Sequence, residues 1–185
     1  MPTVVAAAAA PAEAASPPPR IDRSFLVTRS TQAVVPGASV SECRSGSRLS
    51  VTTDDVNTYY RIANVRTGST VADVTASVLV QKSVVDRLSN GLTWASATTT
   101  DWSNPTLEVS GTTPAVYTYN NTPYYRYYST LKTAVPAPVS GTITLPRIGW
   151  YSNCSTGLAG VSVNGRGSAV VNGTTLVNVG GFRTV

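Results

Sequence analysis

Six of the chain's nine tyrosines fall within residues 117–130, YTYNNTPYYRYYST, with one arginine among them. Read as a strand from Tyr124, the side chains alternate between two faces. Tyr125, Tyr127, Ser129 and Leu131 share the first face, which ends apolar and reads as core packing with phenol hydroxyls reaching a rim. Tyr124, Arg126, Tyr128, Thr130 and Lys132 share the second. In an isolated subunit this second ladder is expected to face solvent, which makes Tyr124, Arg126, Tyr128 and Lys132 the candidate interface or ligand face. Its chemistry suits stacking on sugar rings or bases, or a protein interface, where tyrosine and arginine are enriched. The same ladder also stabilises a sheet through cross-strand aromatic pairs, with no ligand at all.

Other chemistry is hard to build. The chain has no histidine, so Ser-His-acid triads, Cys-His dyads and Cys/His zinc sites are excluded. Lys82 and Lys132 are the only lysines, so a Ser-Lys pair would have to use one of them. Phosphate-cradle motifs are missing, and the glycines near 157–181 read as turn residues. Asp54, Asp55, Asp73, Asp86, Asp101 and Glu108 could supply a glycosidase carboxylate pair on paper, but nothing in their spacing selects two of them. Asp54-Asp55 beside Asn57 has the makings of a calcium loop, and equally of a solvated turn. No catalytic residue, cofactor or metal is therefore expected.

Cys43 and Cys154 are the only cysteines. In an oxidising compartment they would pair, closing a loop of about 110 residues and contributing about 4 kcal/mol. In a reducing one they would be two separately buried small hydrophobes. Trp150 and Tyr151 precede Cys154 and read as core anchors, while Trp94 and Trp102 flank a threonine-rich stretch.

The elements that must hold these residues are strands. Valine, threonine, serine, glycine and tyrosine are abundant, and charged residues make up 12 % of the chain, so its surface is largely hydroxyl and amide. Its net charge of +5 comes mostly from scattered arginines, without the concentrated patch of a nucleic-acid domain. Residues 1–23, alanine-rich and then proline-rich, are expected to form a low-complexity arm ahead of a single domain over 24–185. There is no apolar run long enough to span a membrane as a helix.

Short alternating runs follow from Ser24. The clearest is DVTASVLVQ (73–81), with Val74, Ala76, Val78 and Val80 on one face and Leu79 breaking the pattern. SVVDRLSNG (83–91) predicts one short helix, with Ser83 and Asp86 at capping-box spacing and Asn90-Gly91 as its stop. VPAPVSG (135–141) predicts a proline-containing crossover or edge. Asn164-Gly165 and Asn172-Gly173 each predict a type I′ hairpin turn, giving a three-stranded meander over 158–179.

The expected fold is all-β: an antiparallel two-sheet sandwich, a jelly roll if its topology is Greek key, with at most one short helix. Viral jelly-roll coat proteins and secreted sandwich domains share this pattern of arm, Val/Thr strands and Asn/Gly turns. The expected function is a non-enzymatic structural or assembly protein of a virus particle or an extracellular structure. It would associate with copies of itself or with a protein partner, without specific nucleic-acid binding. The alternative is a secreted carbohydrate-binding module using Tyr124, Tyr128 or exposed tryptophans.

Overall fold

A computed structural model describes residues 16–135 and 141–185. Residues 1–15 of the expected arm and 136–140 of the proline segment lie outside the described residues. In chain order the strands are β1 (Arg20–Ser24), β2 (Leu26–Ser30), β3 (Val34–Val35), β4 (Ala38–Ser39), β5 (Arg48–Thr52), β6 (Tyr59–Val65) and β7 (Val71–Gln81). After helix α1 (Lys82–Val85) come β8 (Trp94–Ser96), β9 (Thr106–Leu107), β10 (Val109–Ser110), β11 (Thr113–Pro114), β12 (Val116–Tyr119) and β13 (Thr122–Thr130). The last are β14 (Gly141–Thr144), β15 (Gly149–Ser152), β16 (Ser162–Val171), β17 (Thr174–Asn178) and β18 (Arg183–Thr184). β1 begins inside the stretch assigned to the arm, and Ile21 of that strand is buried.

The fold is all-β and antiparallel, with one short helix; among the described residues the strands form five sheets. The largest has seven strands along the path β12-β13-β7-β16-β17, with β18 added to β16 and β9 to β13. A three-stranded sheet (β1-β6-β14) and a four-stranded sheet (β2-β5-β15-β8) share one hydrophobic core with its inner face. The hairpins β3-β4 and β10-β11 complete the set.

Strand β7 lies at the centre because its alternation suits a sheet with a buried face. Val74, Ala76, Val78 and Val80 all point into the core. Tyr60 fills the space beneath it, stacked 6.0 Å from Trp102 and meeting Phe25 edge-on at 5.4 Å. Its hydroxyl lies 2.7 Å from the Thr75 carbonyl and 2.8 Å from that of Ser168, so the ring joins the three-stranded sheet to two strands of the large one. Burial raises the Tyr60 phenol well above its ordinary value, as it does that of Tyr127.

The first Asn-Gly turn does not form. β16 runs straight through Asn164-Gly165, paired with β7 from Val163 to Val171 apart from a bulge between Ser168 and Val170. The reason is packing. A Cβ on Gly165 would come 2.9 Å from the Phe25 ring, and one on Gly167 would come 2.7 Å from the Tyr60 ring. Those glycines let two aromatic side chains lie against the strand. Asn172-Gly173 does turn, with φ of 50° and 77°, and Val171 pairs with Thr174 across it.

The helix is also shorter than expected. It covers Lys82–Val85, with Gln81 at its N-cap and no side-chain cap bond. Asp86 does not close a capping box; its carboxylate takes a hydrogen bond from the Tyr125 hydroxyl and pairs with Lys82.

Candidate functional site

On β13 the face assigned to the core is the core. Tyr125, Tyr127 and Ser129 are buried, with Leu131 partly buried against the same cluster. The opposite face, expected to meet solvent, is largely covered by the chain itself. Register explains how. Tyr124 stands opposite Tyr117 on one side and Gln81 on the other, while Tyr128 stands opposite Ser77, which in turn stands opposite Arg166. The outer face thus gathers Tyr117, Tyr119, Tyr124, Arg126, Tyr128 and Arg166 from three strands.

Phe182 closes over this array. Its ring centroid is 4.5 Å from those of both Tyr119 and Tyr124, and the Arg166 guanidinium carbon is 5.9 Å from it. β18 holds the segment in place by pairing with Ser162 and Val163, and Arg183 donates to the Val27 carbonyl. Tyr124 is left only 4 % exposed, its hydroxyl 3.1 Å from that of Ser162. Leu79, which broke the alternation of β7, is buried on this outer side. An apolar residue there makes sense once the face has a cover.

Arg126 is tied down as well. One of its terminal nitrogens lies 3.2 Å from each oxygen of Glu108, and the Tyr117 hydroxyl donates to the same carboxylate at 2.6 Å. The guanidinium lies over the Tyr128 ring. Burial, then the Glu108 bond, raise the Tyr117 phenol. Lys132 is not part of this group. It lies beyond the end of β13, and its ammonium donates to the Thr99 carbonyl. Of the four residues assigned to the ligand face, the structure brings together Tyr124, Arg126 and Tyr128. Sequence reading missed Glu108, Tyr117, Arg166 and Phe182, because strand order brings them there.

The tryptophans offer no platform, since Trp94, Trp102 and Trp150 are all buried. The Asp54 loop uses its own carboxylate: one oxygen accepts the amides of Val56, Asn57 and Thr58 at 2.8–2.9 Å. Those amides, led by Thr58, hold Asp54 down to about 2. Asp55 pairs with Arg147 at 2.7 Å. Among the described residues no group of three or more acids or cysteines is placed to hold a metal ion.

Cys43 and Cys154 are joined, linking the segment after β4 to the one after β15 across 111 residues. Arg48 is buried beside them. Its Nε lies 3.3 Å from Cys43 Sγ, one terminal nitrogen lies 2.9 Å from Cys154 Sγ, and the same nitrogen donates to the Ser41 carbonyl.

A second surface differs in kind. On the outer side of the four-stranded sheet, Leu26, Val34, Val35 and Pro36, with Thr28, Gln32, Thr52, Asp54 and Thr58 among the polar residues beside them, line an open groove of about 550 Å³. Val34 is 86 % exposed and Leu26 43 %, with Val56 also exposed on the neighbouring Asp54 loop. Among the described residues no helix is long and apolar enough to cross a membrane. In comparisons with known families, curated proteins and solved structures, the chain matches no family model, no curated protein and no solved structure.

Proposed function

We propose that this chain is a non-enzymatic assembly subunit of a virus particle or an extracellular structure, and that it associates with copies of itself. Its three- and four-stranded sheets then act together as the second layer of a sandwich, jelly-roll-like, against the seven-stranded sheet. The observation that carries the reading is the apolar groove around Leu26 and Val34. A subunit that works alone gains nothing from leaving a valine at 86 % exposure beside an exposed leucine, whereas an assembling one buries both. The disulfide and the sparse charge of the surface agree with life outside the reducing cell.

The occupant of the groove is the N-terminal arm of a second copy. Residues 1–15 are mostly alanine, valine and proline, matching an apolar channel. Ser16, where the described chain meets that arm, sits beside β6 rather than at the groove. Ser16 and Pro18 accept hydrogen bonds from Arg66 and Asn64, whereas the groove ends at Thr58. Six residues of strand separate Thr58 from Asn64, roughly 20 Å.

A carbohydrate-binding reading has less support, because the tryptophans and Tyr124 are buried and Phe182 occupies the stacking face. Light scattering distinguishes the two. The intact chain should run well above its monomer mass of 19.3 kDa, and both Val34→Asp and removal of residues 1–15 should return it to the monomer. An intact chain that stays monomeric at high concentration and is retained by a glycan array would replace this reading with the carbohydrate one.

A further inference from the structure

Beside Phe182 the outer face of the large sheet has a second concavity of about 210 Å³, lined by Ser77, Tyr117, Arg126, Arg166, Ser168 and Thr175 among others. Two guanidinium groups enter it from β13 and β16, on either side of β7. Against them stands one carboxylate, Glu108, and it already accepts from both Arg126 and Tyr117. Arg166 has no acid. Its Nε donates to Asn164 Oδ1 at 2.9 Å, and among the described residues its two terminal nitrogens have no protein acceptor. Nearby, Asn164 Nδ2 is buried without an acceptor.

This arrangement is unfavourable when empty. A half-buried guanidinium loses hydration, and here it also meets a like charge with no compensating acid of its own. Burial and the neighbouring Arg126 both lower the Arg166 guanidinium below its ordinary value. A bound anion, by its opposite charge, would offset both effects. Arginine forks match the paired oxygens of carboxylates and phosphates, and the hydroxyls of Ser77 and Thr175 can complete an oxygen shell. The volume lies below that of ordinary small-molecule pockets, so the ligand is one charged group rather than a whole nucleotide.

We infer that Arg126 and Arg166, with Ser77 and Thr175, form an oxyanion site that takes a single carboxylate or phosphate group. It lies on a different face from the assembly groove, and neither depends on the other. The test is a titration of the intact chain with inorganic phosphate and, separately, acetate, each against chloride at equal ionic strength. Side-chain NMR resonances of the Arg126 and Arg166 guanidiniums should move saturably with at least one of the two ions. Response to phosphate alone identifies a phosphate-bearing ligand; response to acetate as well identifies a carboxylate site. Arg166→Gln should weaken the binding about tenfold or more, the loss of one charge-assisted contact, whereas Arg44→Gln, at an exposed arginine elsewhere, should leave it unchanged. Should the Gln variant fold poorly, the wild-type resonances decide alone. Guanidinium signals that neither ion moves, or equal binding by Arg166→Gln, would overturn the proposal.

Discussion

The two outer faces of this molecule are finished in different ways. On the seven-stranded sheet, Phe182, held by β18 pairing with β16, lies across the tyrosine ladder, and Glu108 anchors Arg126, so the chain supplies its own cover. On the four-stranded sheet nothing among the described residues covers Leu26 and Val34. The sequence suggests the reverse, since the tyrosine-rich face looks like the place for a partner and SFLVTR like an ordinary strand. An aromatic, charged surface can be satisfied within one chain by hydrogen bonds and stacking. An apolar groove has no such recourse, because only more apolar surface removes it from water.

That contrast can be attacked at several points. The largest effect should come from Cys43→Ser with Cys154→Ser. The bond closes a loop of 111 residues beside the four-stranded sheet, and its loss should cost about 4–5 kcal/mol in denaturant unfolding. Gly167→Val comes next, at about 3 kcal/mol, because its side chain would drive into the Tyr60 ring between the sheets. A smaller change is expected of Phe182→Ala. Losing two aromatic contacts should cost about 2 kcal/mol and expose Tyr124 to fluorescence quenchers, without altering the association state. If Phe182→Ala instead changed the association state, the outer face of the large sheet would be part of the interface.

Two pH effects are smaller still, and they probe opposite sides. Tyr60 and Tyr127 are raised by burial, so the folded chain keeps phenol protons that the unfolded chain releases. Their contribution is complete below the ordinary tyrosine value of 10.0 and is lost as the pH climbs above it, so urea midpoints should fall in alkali. Asp54 is lowered, so its contribution is complete above 3.8 and is lost as the pH falls toward about 2. In that acid window the amides of Val56, Asn57 and Thr58, at the end of the groove, should lose exchange protection while β13 keeps its own.

How far the sequence revealed this structure depends on whether a signal was local. Alternation along β7 located a half-buried strand, and the core face of β13 was read correctly, while the face expected to meet solvent is covered at Tyr124. Asn172-Gly173 turned as its φ preference dictates. Asn164-Gly165, eight residues earlier, carries the same dipeptide and stays extended, because Phe25 and Tyr60 need its neighbourhood free of side chains. Those aromatics lie more than a hundred residues away, beyond any local reading. A usable signal was overlooked at Asn120-Asn121, where φ of 46° and 58° makes a two-residue turn between Tyr119 and Thr122. Two asparagines between tyrosine runs suit that turn. The outer-face cluster was least legible, since Glu108, Arg166 and Phe182 meet β13 only through strand order.

The most direct measurement is amide hydrogen exchange on concentrated and on highly diluted protein. If copies associate through the apolar groove, concentration should add protection to Leu26–Ser30 and Val34–Val35, while Tyr124–Thr130 exchanges at the same rate in both samples. Added protection on Tyr124–Thr130, or none anywhere, would contradict the assignment of the groove as the assembly surface.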